Sequence, residues 1–369
     1  MEMLLLNTNF ETVAIVDSFK SMIWTDRYDS YGDFELYAPA TPETISLFQP
    51  DYYLWSKDSS HTMIIEELSI DTDAEEGNYL TVTGRSLESI LDRRIIWGQK
   101  VLNGNFQDAI KTLLEECIIS PTIEERKIPN FIFAESTDAK ITELTIDTQY
   151  TGDNLYDVIH DLCDENNIGF QIILDNQNNF IFRLYAGVDR SYAQTENAYV
   201  IFSPSFDNII NSNYYTSKAT LKNVALVAGE GEGNSRKMTT VGKSSGLDRR
   251  ELFTDARDVS SDTESGTLST TDYTAQLKAK GEQALSENIV TIAFESEVDA
   301  TRIFQYGIDF FMGDIVQIVN EYGIEGSAYI TEFIMSQDES GYTTYPTFQM
   351  KEEKEKSSSS VDNSATILG

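Results

Sequence analysis

The residues most suggestive of chemistry are Gly229, Glu230, Gly231, Glu232 and Gly233, which follow the apolar run 224–228. A strand that ends in alternating glycines is where backbone N–H groups can cradle a phosphate. The spacing completes neither phosphate motif. A dinucleotide fingerprint begun at Gly229 needs a glycine where Asn234 stands, and one begun at Gly231 meets Arg236. Gly242, Lys243 and Ser244 could end a P-loop, but its leading glycine would fall at Lys237. Glu230 and Glu232 would also repel the phosphate. The stretch therefore reads as a glycine-hinged turn at a domain junction. Arg249 and Arg250, in the run 248–252, are expected at a charged interface or in local salt bridges.

Other chemistry is sparse. The only histidines are His61 and His160. His160 and Cys163 share a helical face with Asp157 or Asp164 nearby, but no second histidine or cysteine pair is close enough in sequence for zinc. His61 reads as an exposed turn residue. The loop DTDAEEGN at 71–78 puts Gly77 at the seventh position rather than the sixth, so it is not a calcium loop. Neither cysteine sits in a recognisable nucleophile setting. Carboxylate pairs for glycoside hydrolysis occur everywhere, which makes any chosen pair uninformative. No catalytic residue, metal or cofactor is assigned.

Composition agrees. The 369 residues carry 61 acidic and 27 basic side chains, a net charge of −34. Sequence-independent DNA binding needs the opposite sign. A surface that DNA must pass without sticking would suit it. Tyrosine and phenylalanine, 19 each, favour β structure. Cys117 and Cys163 fall in apolar helical patterns and read as buried thiols. The start, MEMLLLNTNFE, lacks a basic secretory opening, and no apolar run reaches membrane-spanning length. A soluble protein made in the cytoplasm is expected.

The positioning elements fall into blocks. Short strands are expected at 4–6, 12–16, 23–27 and 33–37, a helix at 44–48, and a hairpin from 63–71 and 79–84. Ser86 should cap a helix over 86–92. Phe106, Ala109, Ile110, Leu113, Leu114 and Cys117 mark one helix face. Leu155, Val158, Ile159, Leu162 and Cys163 mark another, capped by Asp153 or Asn154. Residues 141–146 read as a strand, and 169–174 with 179–185 as a hairpin. Strands at 199–202 and 214–228 follow, then a helix over 273–287 with Gly281 as a weak point. The last strands are expected at 289–294, 315–319, 327–335 and 345–350. Asp314 and Glu332 should lie at the surface or in pairs. Residues 351–369 read as a flexible tail.

Several stretches together resemble the siphovirus Gp37-like tail hub, or tail-associated, proteins. They are SLESILDRRIIWG at 86–98, SPSFDNI at 203–209, NVALVAGEGEGNSR at 223–236, GLDRRELFTDARDVS at 246–260 and the closing segment 311–348. The resemblance spans nearly all of residues 1–350. It implies a β-rich α+β fold with two related β-barrel ring domains and two smaller appended α/β domains. The first barrel would be 1–98 and the first appended domain 99–185. A split second barrel would combine 186–228 with 288–350, interrupted by an inserted domain at 229–287. The implied role is structural. Three chains would form a ring joining the tail tube to the tip, with a channel for DNA ejection. Implied partners are further copies of the chain, the distal tail protein, tail tube proteins, the tape measure protein and tip or receptor-binding proteins. DNA would pass without specific binding, and the protein would sit at the virion's tail tip without stable membrane insertion. A cell-wall-cleaving domain is expected to be absent, since the chain ends soon after 350. The alternatives are a host-surface carbohydrate-binding module using Tyr28, Tyr31, Tyr52 and Tyr53, or a peptidoglycan-degrading enzyme.

Overall fold

The computed structural model describes residues 1–73, 77–209, 211–263, 266–297, 303–323 and 325–350. The expected tail at 351–369, and residues 74–76 of the acidic loop, lie outside them.

Seven strands come from the first block: β1 (Met3–Leu6), β2 (Thr12–Val16), β3 (Ser21–Arg27), β4 (Asp33–Pro39), β5 (Tyr53–Ser56), β6 (Thr62–Asp73) and β7 (Gly77–Ser86). They pair antiparallel in the order β3-β4-β7-β6-β5-β1-β2. Alternation sets the faces. Phe34, Leu36, Ala38, Leu80 and Val82 point into the core, while Glu35, Tyr37, Thr81 and Thr83 point away. The helix α1 (Pro42–Leu47) is capped by Thr41. Residues Leu87–Arg93 form a 3-10 turn. Ser86 does not cap it, because its hydroxyl accepts the Gly32 N–H at 2.7 Å.

The next block is a separate α+β unit. It contains β8 (Gln99–Asn105), α2 (Phe106–Leu114), β9 (Phe131–Ala134), α3 (Ala139–Thr142), β10 (Thr145–Thr151), α4 (Leu155–Asn166), β11 (Gly169–Leu174) and β12 (Phe180–Tyr185). Both predicted helix faces are buried. Asn105 and Asn154 supply the caps, each accepting backbone N–H groups of its first turn. Residues 141–146 are not one strand. Asp138 accepts the Lys140 N–H and starts α3, so the strand begins only at Thr145.

The chain then forms β13 (Ile201–Phe202) and β14 (Asn211–Ser217) before a small unit of β15 (Val224–Ala228), β16 (Met238–Val241), β17 (Glu251–Asp255), the hairpin β18 (Asp262–Thr263) and β19 (Gly266–Thr267), and α5 (Thr270–Ser286). Here the structure corrects the sequence reading. Residues 224–228 do not continue the large sheet but form the centre of the sheet β16-β15-β17. Four of the five residues of β15 are buried, as suits a central strand covered by a helix. The departure therefore lies at 218–223, where the Lys222 N–H donates to the Asn288 carbonyl at 2.7 Å and ties entry to exit. Gly281 is a packing requirement rather than a weak point. A Cβ there would lie 2.5 Å from Val227 Cγ2 and 2.8 Å from Val241 Cγ2.

Four more strands, β20 (Thr291–Glu297), β21 (Ile315–Val319), β22 (Glu325–Asp338) and β23 (Gly341–Met350), return to the first sheet. The long β22 is the join. Along one edge it pairs with β23; on the other its first part pairs with β21 and its second with β3, from Glu332↔Arg27 to Gln337↔Met22. One 13-stranded sheet results. Its strand path runs from β14 to β2 without closing, so the expected barrels are open among the described residues. A single core draws on both halves, with Met22, Trp24, Phe34 and Val82 sharing a cluster with Phe202, Val316, Phe333 and Phe348.

Candidate functional site

The β22–β3 pairing makes one polar face continuous across both halves. Register aligns Thr343, Ser336, Ile23, Glu35, Thr83 and Glu67 in one row across six strands. Asp33 and Arg85 follow in the adjacent row, and Thr347, Glu332 and Arg27 in the next. Both arginines are taken. Arg27 contacts Asp33 at 2.7 Å and Glu332 at 2.6 Å. Arg85 contacts Glu66 at 2.7 Å and Asp92 at 3.2 Å, and lies over the Tyr31 ring. Such half-exposed pairs add little stability. Their effect is to leave hydroxyls and surplus carboxylate, with no unpaired guanidinium on these rows to hold a phosphate. Glu332 is paired as expected. Asp314 is paired too, with Arg190 Nε at 2.7 Å, and it is buried, where it also accepts the Val188 N–H at 2.8 Å.

A second cluster lies beneath the sheet, where the α+β unit meets it. His61 is 3% exposed, between Asp26 at 2% and Glu88 at 0%. The expectation of an exposed turn residue fails because its neighbours come from β3 and the 87–93 turn, far away in sequence. His61 Nδ1 lies 3.3 Å from Glu88 Oε1, and that oxygen accepts the Ile172 N–H at 2.6 Å. Asp26 accepts Trp24 Nε1 and the Ser59 hydroxyl. Burial opposes the imidazolium, but Asp26 and Glu88 together push His61 up to about 9. Burial also opposes the Glu88 carboxylate, yet His61 and its donors bring it below its ordinary value. Asp26 rises, because burial outweighs His61, Ser59 and Trp24. Sealed from solvent, the cluster cements two units.

The sequence profile of the siphovirus ReqiPepy6 Gp37-like proteins matches residues 2–348. The chain belongs to that family. Three solved phage-tail structures share its fold. The tail protein from Neisseria meningitidis MC58 has 12% identity and a TM-score of 0.57, covering 95% of this chain and 96% of that one. Prophage tail protein gp18 from Listeria monocytogenes EGD-e has 12% identity and a TM-score of 0.54, covering 96% and 95%. The 43 kDa tail protein of prophage MuSo2 from Shewanella oneidensis has 13% identity and a TM-score of 0.55, covering 94% and 98%. Identities this low speak for fold rather than activity. No curated protein matches. The fold is the one these tail proteins share.

In this Gp37-like chain the glycine-rich turn binds its own neighbours. Gly229 packs under α5, where a Cβ would stand 2.3 Å from the Tyr273 hydroxyl. Gly231 and Gly233 adopt φ of 98° and 53°. The Glu230 carboxylate accepts the Ser261 N–H and the hydroxyls of Ser260 and Ser261, while its N–H donates to the Tyr273 oxygen. Burial opposes ionisation of Glu230, but these serine donors hold it below its ordinary value. Glu232 is exposed. Arg249 pairs with Glu251 at 2.6 Å. Arg250 donates to the Lys218 carbonyl at 2.6 Å and its N–H to Asn223 Oδ1, stapling the junction itself. The His160 grouping is also structural: its Nδ1 lies 2.8 Å from the Asp29 carbonyl oxygen, and Cys163 is buried. Cys117 is likewise a buried free thiol.

Proposed function

We propose that the chain is a tail hub, three copies of which form a ring between tail tube and tip, with the polar face of the long sheet lining a channel for DNA. The observation that carries this reading is that face. It runs through β22 and β3, presents carboxylates and hydroxyls around Ile23 and Ile334 at the join, and gives each of its arginines two acidic partners. DNA meeting such a wall is repelled weakly and held nowhere. The two halves of the sheet would be the two barrel domains, closed by neighbouring copies. The α+β unit at 99–185 and the small unit beginning at Val224 would be the appended domains. The distal tail protein, tail tube proteins, tape measure protein and tip or receptor-binding proteins are the partners this position implies, in the virion at the tail tip. The role is structural, without catalysis.

Electron microscopy with a mass measurement tests this, on the chain alone and mixed with its neighbouring tail protein. The expected particle is a three-chain ring with a central opening; a solid monomer in both samples would overturn the reading. The tyrosines considered for glycan binding are engaged internally. Tyr28 donates to the Asn167 carbonyl, Tyr31 packs on Tyr156, Tyr52 on the main core and Tyr53 on Phe10.

A further inference from the structure

Two arginines lie together without a counter-ion. Arg94 Nε donates to the Arg126 carbonyl at 2.9 Å, and Arg126 donates to the Ile95 carbonyl at 2.5 Å. Among the described residues, neither guanidinium forms an ion pair. Nearby acids are engaged elsewhere: Asp92 with Arg85, Glu116 with Lys100 and Glu124 with Lys127. Burial, then repulsion from Arg126 and Arg93, draws Arg94 below its ordinary value. Arg126 also lies over the Trp97 ring, 4.8 Å from its centroid. Trp97 is 55% exposed, and Ile95 beside it 45%.

A pair of like charges fixed by backbone carbonyls is poised for an anion. A phosphate polymer would require a wider basic field than two arginines provide in a chain of charge −34. An exposed tryptophan under an arginine, next to exposed isoleucine, has the composition of a protein contact centre. Copies of this chain carry carboxylates in excess and repel one another unless some point of contact offsets the repulsion. We propose that the Arg94–Arg126–Trp97 patch is where one copy grips the acidic surface of a second. The inference rests on the ring reading, in which copies must meet.

The test uses the full chain. Trp97 is replaced by the photo-cross-linker p-benzoylphenylalanine, and irradiation is expected to give a species of twice the chain mass, joined through an acid-rich peptide. In parallel, Arg94→Glu/Arg126→Glu and the milder Arg94→Gln/Arg126→Gln are compared with wild type by sedimentation velocity, with thermal melts confirming the fold. Self-association should weaken roughly thirtyfold, the loss expected for one central contact. If wild type and both folded variants associate equally, or if cross-links form solely within the chain, the proposal fails and the ring stands. If wild type never associates, alone or mixed with its neighbouring tail protein, the ring reading fails and takes the proposal with it. If wild type is retained on duplex DNA and the glutamine variant is not, with self-association unchanged, the patch belongs to a phosphate polymer and the proposal is overturned.

Discussion

His61→Gln should remove both a large part of the stability of the main unit and its dependence on pH. In the folded chain His61 is pushed up to about 9 from an ordinary 6.5. A raised histidine means that the folded state binds the proton more tightly than the unfolded one. Its contribution is therefore complete below pH 6.5 and is lost as pH climbs towards 9. The displacement corresponds to roughly 3 kcal/mol. Glutamine cannot supply the charge, so the variant leaves the buried carboxylates unpaired and should lose about 3–5 kcal/mol at neutral pH. Urea unfolding followed by tryptophan fluorescence suits the site, since Trp24 is buried and donates to Asp26 at 2.9 Å. Between about pH 6 and about pH 9 the wild-type midpoint should fall while that of the variant stays flat. Pairing His61→Gln with Glu88→Gln should recover part of the loss, because it removes the stranded charge. Parallel slopes for wild type and variant, or a cost below about 1 kcal/mol, would refute the reasoning.

Three further outcomes are expected. Asp314→Ala strands Arg190 and leaves the Val188 and Phe311 N–H groups without their acceptor, so urea unfolding should show a loss of roughly 3 kcal/mol. An unchanged midpoint would mean that water replaces the carboxylate. Gly281→Ala gains about 1 kcal/mol of helix propensity but overpacks Val227 and Val241 by roughly 1–3 kcal/mol. Hydrogen exchange should quicken within 224–286 and nowhere else; slower exchange there would show that the helix seat is loose. Glu35→Lys/Glu67→Lys changes exposed residues and should leave stability within about 0.5 kcal/mol. It should add salt-sensitive retention on duplex DNA, and a chain that remains unretained would detach this face from the channel role.

The first and last blocks were legible because their strands alternate with period two and are punctuated by turns; the strand 315–319 and the turn at Ser340-Gly341 fall where expected. Local periodicity misled at 141–146, where alternating apolar residues suggest a strand while the cap at Asp138 starts a helix. It was silent on partnership. An apolar run such as 224–228 announces burial without naming the sheet that receives it. The charged sites were harder still. His61 follows a serine-rich turn and looks wet; its burial depends on Asp26 and Glu88, which no sequence window connects to it. The Glu230 carboxylate is likewise explained by Ser260 and Ser261, which lie beyond the turn.

The β22–β3 ladder also constrains how the chain is made. Arg27 and Glu332 are neighbours in the sheet but 305 residues apart. At typical synthesis speeds of 5–20 residues per second, one edge of β3 waits roughly 15–60 s on the ribosome before its permanent neighbour exists. Throughout that time the nascent chain carries an open strand edge of the kind that recruits other chains. The α+β unit has no such wait, because the strand partners within it all lie between 99 and 185. It can mature while the long sheet is still incomplete, and premature termination upstream of β22 would release a half-sheet with a sticky margin rather than a smaller stable protein.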